Sequence, residues 1–337
     1  MQAPATLVKT NIRSFIGGSL LGRAVMNTLS PGIDKGLSIL IYHRVLPHKD
    51  PLFPSEIDRN EFDLQIRLLK SCFNVIPLID AVRGLREGTL PPRAACITFD
   101  DGYADNCEIA LPVLQANQVS ATFFIATGFL NGGLMWNDAV IETVRNAAQR
   151  QIDASSIGLG LHDLGSIEQG QQAIRKLIGA LKYLPFDERA EQVKRLCELA
   201  GAPLPGNLMM TSEQVKRLHT AGMGIGGHTV RHPILARLTA DEAGREIAEG
   251  KDSLEKIIGA PVPLFAYPNG KPGADYSREH VEIVKALKFE GAVSTAWGAQ
   301  AGKPDLYQLP RFTPWDKTPV RFTVRMAKNL LTRADVA

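Results

Sequence analysis

Cysteine is scarce in this chain, with four in 337 residues, and Cys72, Cys96, Cys107 and Cys197 form no Cys-x-x-Cys pair. Cys96 falls in an apolar strand-like run and Cys107 in a helix-like stretch. The expectation is therefore buried free thiols in a reducing compartment and not a disulfide framework. Long apolar runs are missing too, since none approaches the roughly 18–20 residues of a membrane span. The nearest thing to a signal segment, Ser14 to Leu21, is short, holds Gly17 and Gly18, and lacks a convincing cleavage site, so cytoplasmic residence is expected. Repeats and low-complexity segments are absent as well.

Net charge is small, +3, but it is unevenly placed. Residues 1–36 carry Lys9, Arg13, Arg23 and Lys35 against Asp34. Residues 316–337 carry Lys317, Arg321, Arg325, Lys328 and Arg333 against Asp316 and Asp335. Each end is thus +3 and the middle −3, which leaves no basic body to hold nucleic acid. Ordinary solvated helices explain the basic ends, although Phe15, Leu20, Leu21, Phe322, Met326 and Leu330 interleave with the cations. Such termini could touch an anionic membrane surface. Oligomeric state is not legible.

What is present is an alternation. With 45% hydrophobic and 22% charged residues the chain has an ordinary globular composition. Short apolar strands are expected at 37–43, 73–76, 94–99 and 120–126, separated by helical patterns, which argues for a parallel α/β sheet or barrel. Between Trp136 and Met210 helical patterns near 139–151, 167–183 and 187–201 follow one another without a clear strand. This is read as a helical insertion over about 137–210. The rhythm returns with a strand at 223–227, a helix over 239–258 whose Thr239-Ala-Asp-Glu242 start resembles a capping box, and strands near 263–267, 290–295 and 306–312.

Chemistry-bearing residues gather where strands end: His43, Asp100 and Asp101, His228, and Tyr267 with Pro268. In a parallel barrel the carboxyl ends of the strands share the face that builds the active site. Strand alternation sends Asp100 and Asp101 in different directions, so one can ligate a metal while the other takes a proton from water. An Asp-Asp-Gly turn alone is as often only a turn. His228 and His232, at i and i+4 on one helical face, can grip one ion, and Gly224-Ile-Gly-Gly227 before them allows close backbone approach. An Asp/His/His set leaves an open position for water and suits zinc first, with cobalt or nickel chemically acceptable. His43 could serve as an acid near neutrality, or be a buried core histidine. Trp136 could stack on a sugar ring, or be core.

Thr98-Phe-Asp-Asp-Gly102 and His228-Thr-Val-Arg-His232 resemble the first two signature motifs of the polysaccharide deacetylases (carbohydrate esterase family 4), and Phe265-Ala-Tyr-Pro-Asn-Gly270 resembles the third. The likeness covers about residues 37–315, with short basic extensions at 1–36 and 316–337. It implies a distorted (β/α) barrel of fewer than eight strands and metal-dependent removal of N-acetyl groups from a hexosamine glycan or glycolipid. By resemblance Asp101, His228 and His232 hold the metal, Asp100 is the base, and the Tyr103 N–H stabilises the oxyanion. Tyr267, Pro268 and Trp136 are candidate substrate contacts. Two departures stand out. The third motif lacks its arginine, for which Arg311 is the candidate replacement. No histidine follows His280, whereas Tyr42-His43-Arg44 resembles the N-terminal motif of bacterial poly-N-acetylglucosamine deacetylases, whose strand order is circularly permuted and whose His43 counterpart is the acid. The rival readings are hydrolysis of another amide or an O-acetyl ester on the same scaffold, and a catalytically silent glycan-binding module.

Overall fold

A computed structural model describes residues 36–298, 305–314, 318–331 and 336–337. The expectations for residues 1–35 lie outside them. Among the described residues, seven strands form one parallel sheet. Six run in the order β1 (Leu37–Tyr42), β3 (Ala94–Phe99), β4 (Thr122–Ile125), β7 (Gly224–Gly227), β8 (Leu264–Ala266) and β9 (Gly291–Val293), and β2 (Asn74–Val75) pairs with the start of β3. β1, β3 and β4 are short and buried along their length, as parallel strands covered on both faces must be.

The sheet curls. Ile39, Cys96, Phe124, Leu264, Val293 and Leu309 belong to one packed cluster with Leu78 and Val82, and side chains from so many strands can meet only on a concave face. The alternate residues, among them Ile97, Phe99, Phe123, Ile125 and Phe265, pack outward with the helices. The seam between the first and last strands is closed by residues 308–312. Leu309 N donates to Ala292 O at 3.0 Å, Ile41 N to Phe312 O at 3.0 Å and Phe312 N to Ile39 O at 3.0 Å. The result is a distorted (β/α) barrel with fewer than eight strands.

Helices cover the outside: α1 (Arg59–Cys72), α3 (Leu111–Ala116, entered through a π-turn at Asn106–Ala110), α7 (Ser212–Thr220), α8 (Ala240–Ile258), α9 (Arg278–Ala286) and α10 (Pro319–Leu331), whereas α2 (Leu78–Glu87) packs its Leu78, Ala81 and Val82 into the concave cluster. Their starts are chemically specified. Asp58 accepts from the Asn60 and Glu61 N–H groups, and the Thr239/Glu242 capping box is formed. On α10, Phe322 and Met326 are buried in the main core, so that part of its apolar face is spent on the protein itself.

Between β4 and β7 stand α4 (Trp136–Asn146), α5 (Ile167–Leu181) and α6 (Phe186–Ala200), with a separate cluster around Val140, Leu177 and Leu196. Between α4 and α5 lies an antiparallel hairpin, β5 (Gln151–Ala154) with β6 (Gly160–Asp163). The sequence pattern predicts no strand there. Two four-residue strands, with only alternate residues buried, carry too little hydrophobic periodicity to register. All four cysteines are free. No helix among the described residues is long and apolar enough to cross a membrane.

Candidate active site

β3 ends on the acid pair. Asp100 has the strand parity of Cys96 and Thr98 and points into the curl, where the seam residue Arg311 meets it with two parallel bonds of 2.7 Å. The Arg311 guanidinium also donates to Ser294 O at 3.0 Å and Thr98 Oγ1 at 3.2 Å, and it is almost completely buried. Burial pushes the Asp100 carboxyl up, but the charges of Arg311 and His228 outweigh it and hold the group below its ordinary range. Asp100 is thus ionised and aimed.

The next residue leaves the strand. Asp101 takes φ +76 and Gly102 φ +93, a left-handed turn that swings the second carboxylate away from the first. Asp101 Oδ1 then lies 3.5 Å from Nε2 of both His228 and His232. These distances exceed a good hydrogen bond, and Asp101 Oδ1 is buried without a hydrogen-bond partner. One ligand atom from each of the three residues lies within 4.8 Å of the others. A buried acceptor facing two imidazole nitrogens is the donor set expected of a divalent cation, so these residues fit one. Burial pushes the Asp101 carboxyl up, yet its polar contact with His228 and the charges of His232 and His43 carry it well below the usual range.

The histidine pair is held differently from the helical face expected. Residues 228–232 form a turn in which Thr229 (φ +66) and His232 (φ +54) are left-handed, and this folds the two rings to 4.7 Å between centroids. Thr229 Oγ1 donates to His228 O and accepts from His232 N, while Glu246 of α8 accepts the N–H groups of Val230 and Arg231. His228 Nδ1 hydrogen-bonds to Ala266 O at 2.7 Å, which leaves Nε2 toward Asp101. Burial pulls the His228 imidazole down, but Asp100 and Asp101 raise it overall, whereas burial takes His232 down to about 4.

Tyr103 sits beside the acid pair in an isolated bridge to Met209. The bonds Met210 N to Gly102 O and Ala104 N to Leu208 O flank it, and its own N–H has no acceptor among the described residues. Its ring lies under the Arg44 guanidinium at 4.9 Å, and its hydroxyl donates to Asp138 Oδ2 at 2.9 Å. His43, exposed just beyond β1, is close enough for its charge to act on Asp100 and Asp101. A cavity of about 490 Å³ opens there, lined by His43, Arg44, Glu56, Asp101, Tyr103 and Asp138.

Three expected contacts do not line this cavity. Tyr267 is fully buried, stacked on Tyr276 at 3.9 Å with its hydroxyl donating to Tyr307 O, and Pro268 is buried beside it. Parity at the end of β8 turns Tyr267 outward into the helix layer, and neither residue is among those lining the cavity. Trp136, half-buried on the insertion core, does not line it either, although its neighbours Asn137 and Asp138 do. Asp138 was missed. Burial, with the charge of Asp101 adding to it, raises its carboxyl to about 7 despite the Tyr103 bond. From sequence alone it looks like an ordinary first-turn acid of a helix.

Comparison with known proteins agrees with this architecture. The profile of the polysaccharide deacetylase family matches residues 87–182 and 192–292, more than half of the chain. The chain is 22% identical over 277 residues to the Bacillus subtilis (strain 168) protein YxkH, named for the same family, covering 82% of this chain and 70% of that one. Among solved structures, Streptococcus pyogenes deacetylase PplD in complex with acetate superposes with TM-score 0.58 at 19% identity. IcaB from Ammonifex degensii does so with TM-score 0.57 at 20%. Each alignment covers 88% of this chain and 98% of the other. At such identities the two structures speak to the fold alone.

Proposed function

Because the chain belongs to the polysaccharide deacetylase family, we propose that it removes N-acetyl groups from an N-acetylhexosamine-containing glycan or glycolipid, through a catalytic domain spanning about residues 37–315 that carries the 137–210 insertion. The observation that carries this reading is the division of labour between adjacent acids. Asp100 is locked by Arg311, and Asp101 is offered with His228 and His232 to a cation. A glycan-binding module has no use for an oriented, ionised carboxylate beside such a cluster.

Asp101, His228 and His232 would hold a divalent metal, zinc being the first choice for this donor set. Such an ion supplies Lewis acidity that polarises the acetamide carbonyl and makes a water easier to deprotonate. Asp100 accepts the proton of the attacking water. Arg311 keeps Asp100 charged and correctly turned, and the carboxylate's low basicity would suffice for a water that a bound cation acidifies. The unpaired Tyr103 N–H donates to the carbonyl oxygen as negative charge collects there. His43 protonates the departing amine, so acetate and the free amino sugar leave together.

For Asp100→Asn we expect metal retention with loss of nearly all acetate release, and for Asp101→Ala loss of the metal itself, read by elemental analysis beside an acetate assay. Full turnover in Asp100→Asn would remove the base assignment. O-acetyl esters and other amides belong in the same substrate panel, since the donor set itself does not separate them.

A further inference from the structure

The insertion brings a second constellation to the mouth of the site. α6 starts at Phe186, and this ring reaches the 228–232 turn, where the Arg231 guanidinium lies 4.9 Å from its centroid. Arg189, one helical turn along, lies 5.8 Å from the same centroid and 4.9 Å from that of Trp136, the first residue of α4. Asn137 and Asp138, next on α4, line the cavity. An edge therefore runs from the cavity through Trp136, Arg189 and Phe186 to Arg231, between the two candidate ligand histidines.

One cation on this edge has no carboxylate partner among the described residues. Arg189 donates from Nη1 to Lys182 O at 3.3 Å and pairs with no carboxylate among the described residues, even though Asp187 and Glu188 share its turn. Its surroundings act on it through burial alone. Arg231 gives its Nε to Glu246 Oε1 at 2.6 Å, and its side chain is 56% exposed. Both guanidiniums rest against the Phe186 ring, which attracts each of them. Two guanidiniums gathered at one ring suit an oxyanion with several acceptor oxygens. A phosphate can take donors from both at once, whereas a carboxylate is satisfied by one.

We infer that Arg189 and Arg231, held by Phe186 and Trp136, form a subsite for a phosphate ester borne by the glycan or by its carrier. The inference rests on the deacetylase reading and narrows its substrate class to phosphate-bearing N-acetylhexosamines. Neither arginine touches the scissile bond. Their work is to orient the substrate.

The test compares kcat/KM for methyl N-acetylglucosaminide, N-acetylglucosamine 1-phosphate and a short-chain polyprenyl phosphodiester of N-acetylglucosamine, alongside calorimetric binding of the 1-phosphate. Arg189→Gln should lower the preference for phosphate-bearing over neutral substrate about tenfold, chiefly through KM, and weaken 1-phosphate binding to match. Arg189→Lys should recover part of the preference. Arg195→Gln, which removes a charge from the exposed face of the same helix, should leave the preference unchanged. Equal losses on neutral and phosphate-bearing substrates, or an equal effect of Arg195→Gln, would overturn the subsite. Preference for the diester over the 1-phosphate would mark a lipid carrier as the source of the phosphate, and the reverse a phosphorylated glycan. Failure of acetate release from every compound would remove the deacetylase reading, while the binding measurement would still decide the subsite.

Discussion

At the scale of single residues, neighbours in sequence do opposite work because the backbone between them changes hand. Asp100 ends a strand and Asp101 begins a left-handed turn. His43 lies beyond β1, near both acids but bonded to neither side chain. His43→Ala should slow acetate release by about 10²-fold or more, the usual scale of acid–base catalysis, with metal content unchanged. Loss of metal on that change would make His43 a ligand. Asp138 carries a different prediction. Its carboxyl is raised to about 7 in the fold against about 3.9 in an unfolded chain. Below pH 4 both states are protonated, and between pH 4 and 7 the folded state holds the extra proton, so stability falls as pH rises through that window. The loss is on the order of 4 kcal/mol at most. Asp138→Asn should therefore flatten the stability profile between pH 4.5 and 7.5, measured by urea denaturation. A slope equal to that of the parent protein would show that Asp138 titrates normally.

At the scale of elements, the site depends on short turns braced from behind. The 228–232 turn is not helical, and spacing alone could not reveal this, since i and i+4 residues meet on a helix and also on a folded loop. Its brace is Glu246 of α8, 5% exposed and accepting two backbone N–H groups and the Arg231 side chain. Glu246→Ala should weaken metal affinity about 10–100-fold, as other losses of outer support do, in a chelator competition assay. Unchanged affinity would mean that the left-handed residues hold the turn unaided. Of the glycines before it, Gly224 and Gly226 are places of close approach, while Gly227 leaves ordinary contact distance. A Cβ on Gly226 would fall 2.3 Å from the Phe124 ring.

At the scale of the molecule, the barrel is closed by the same segment that orients the base. Residues 308–312 join β1 to β9, and Arg311 leaves that seam to grip Asp100, with 0% and 4% of their side chains exposed. Removing one member of such a pair strands a buried charge, so Arg311→Met should cost about 3–5 kcal/mol of stability. Adding Asp100→Asn should restore part of it in denaturant titrations. If the double variant is no more stable than the single one, the seam depends on Arg311 for packing and not for charge.

Much of this was legible in the chain. Strand ends, the acid pair, the two imidazoles and the capping box of α8 are local patterns, written within a few residues by hydrophobic period and side-chain chemistry. Arg311 could be named as a candidate, but its partner lies 211 positions away. Tyr267 carried a functional motif, yet strand parity turned it into the core, and Asp138 became a site residue only when the insertion folded back over Tyr103. Sequence by itself determined which chemistry is available and in what order along the chain. Tertiary structure decided which groups meet, because convergence between distant strand ends follows from the curl and closure of the sheet, and no local preference encodes that.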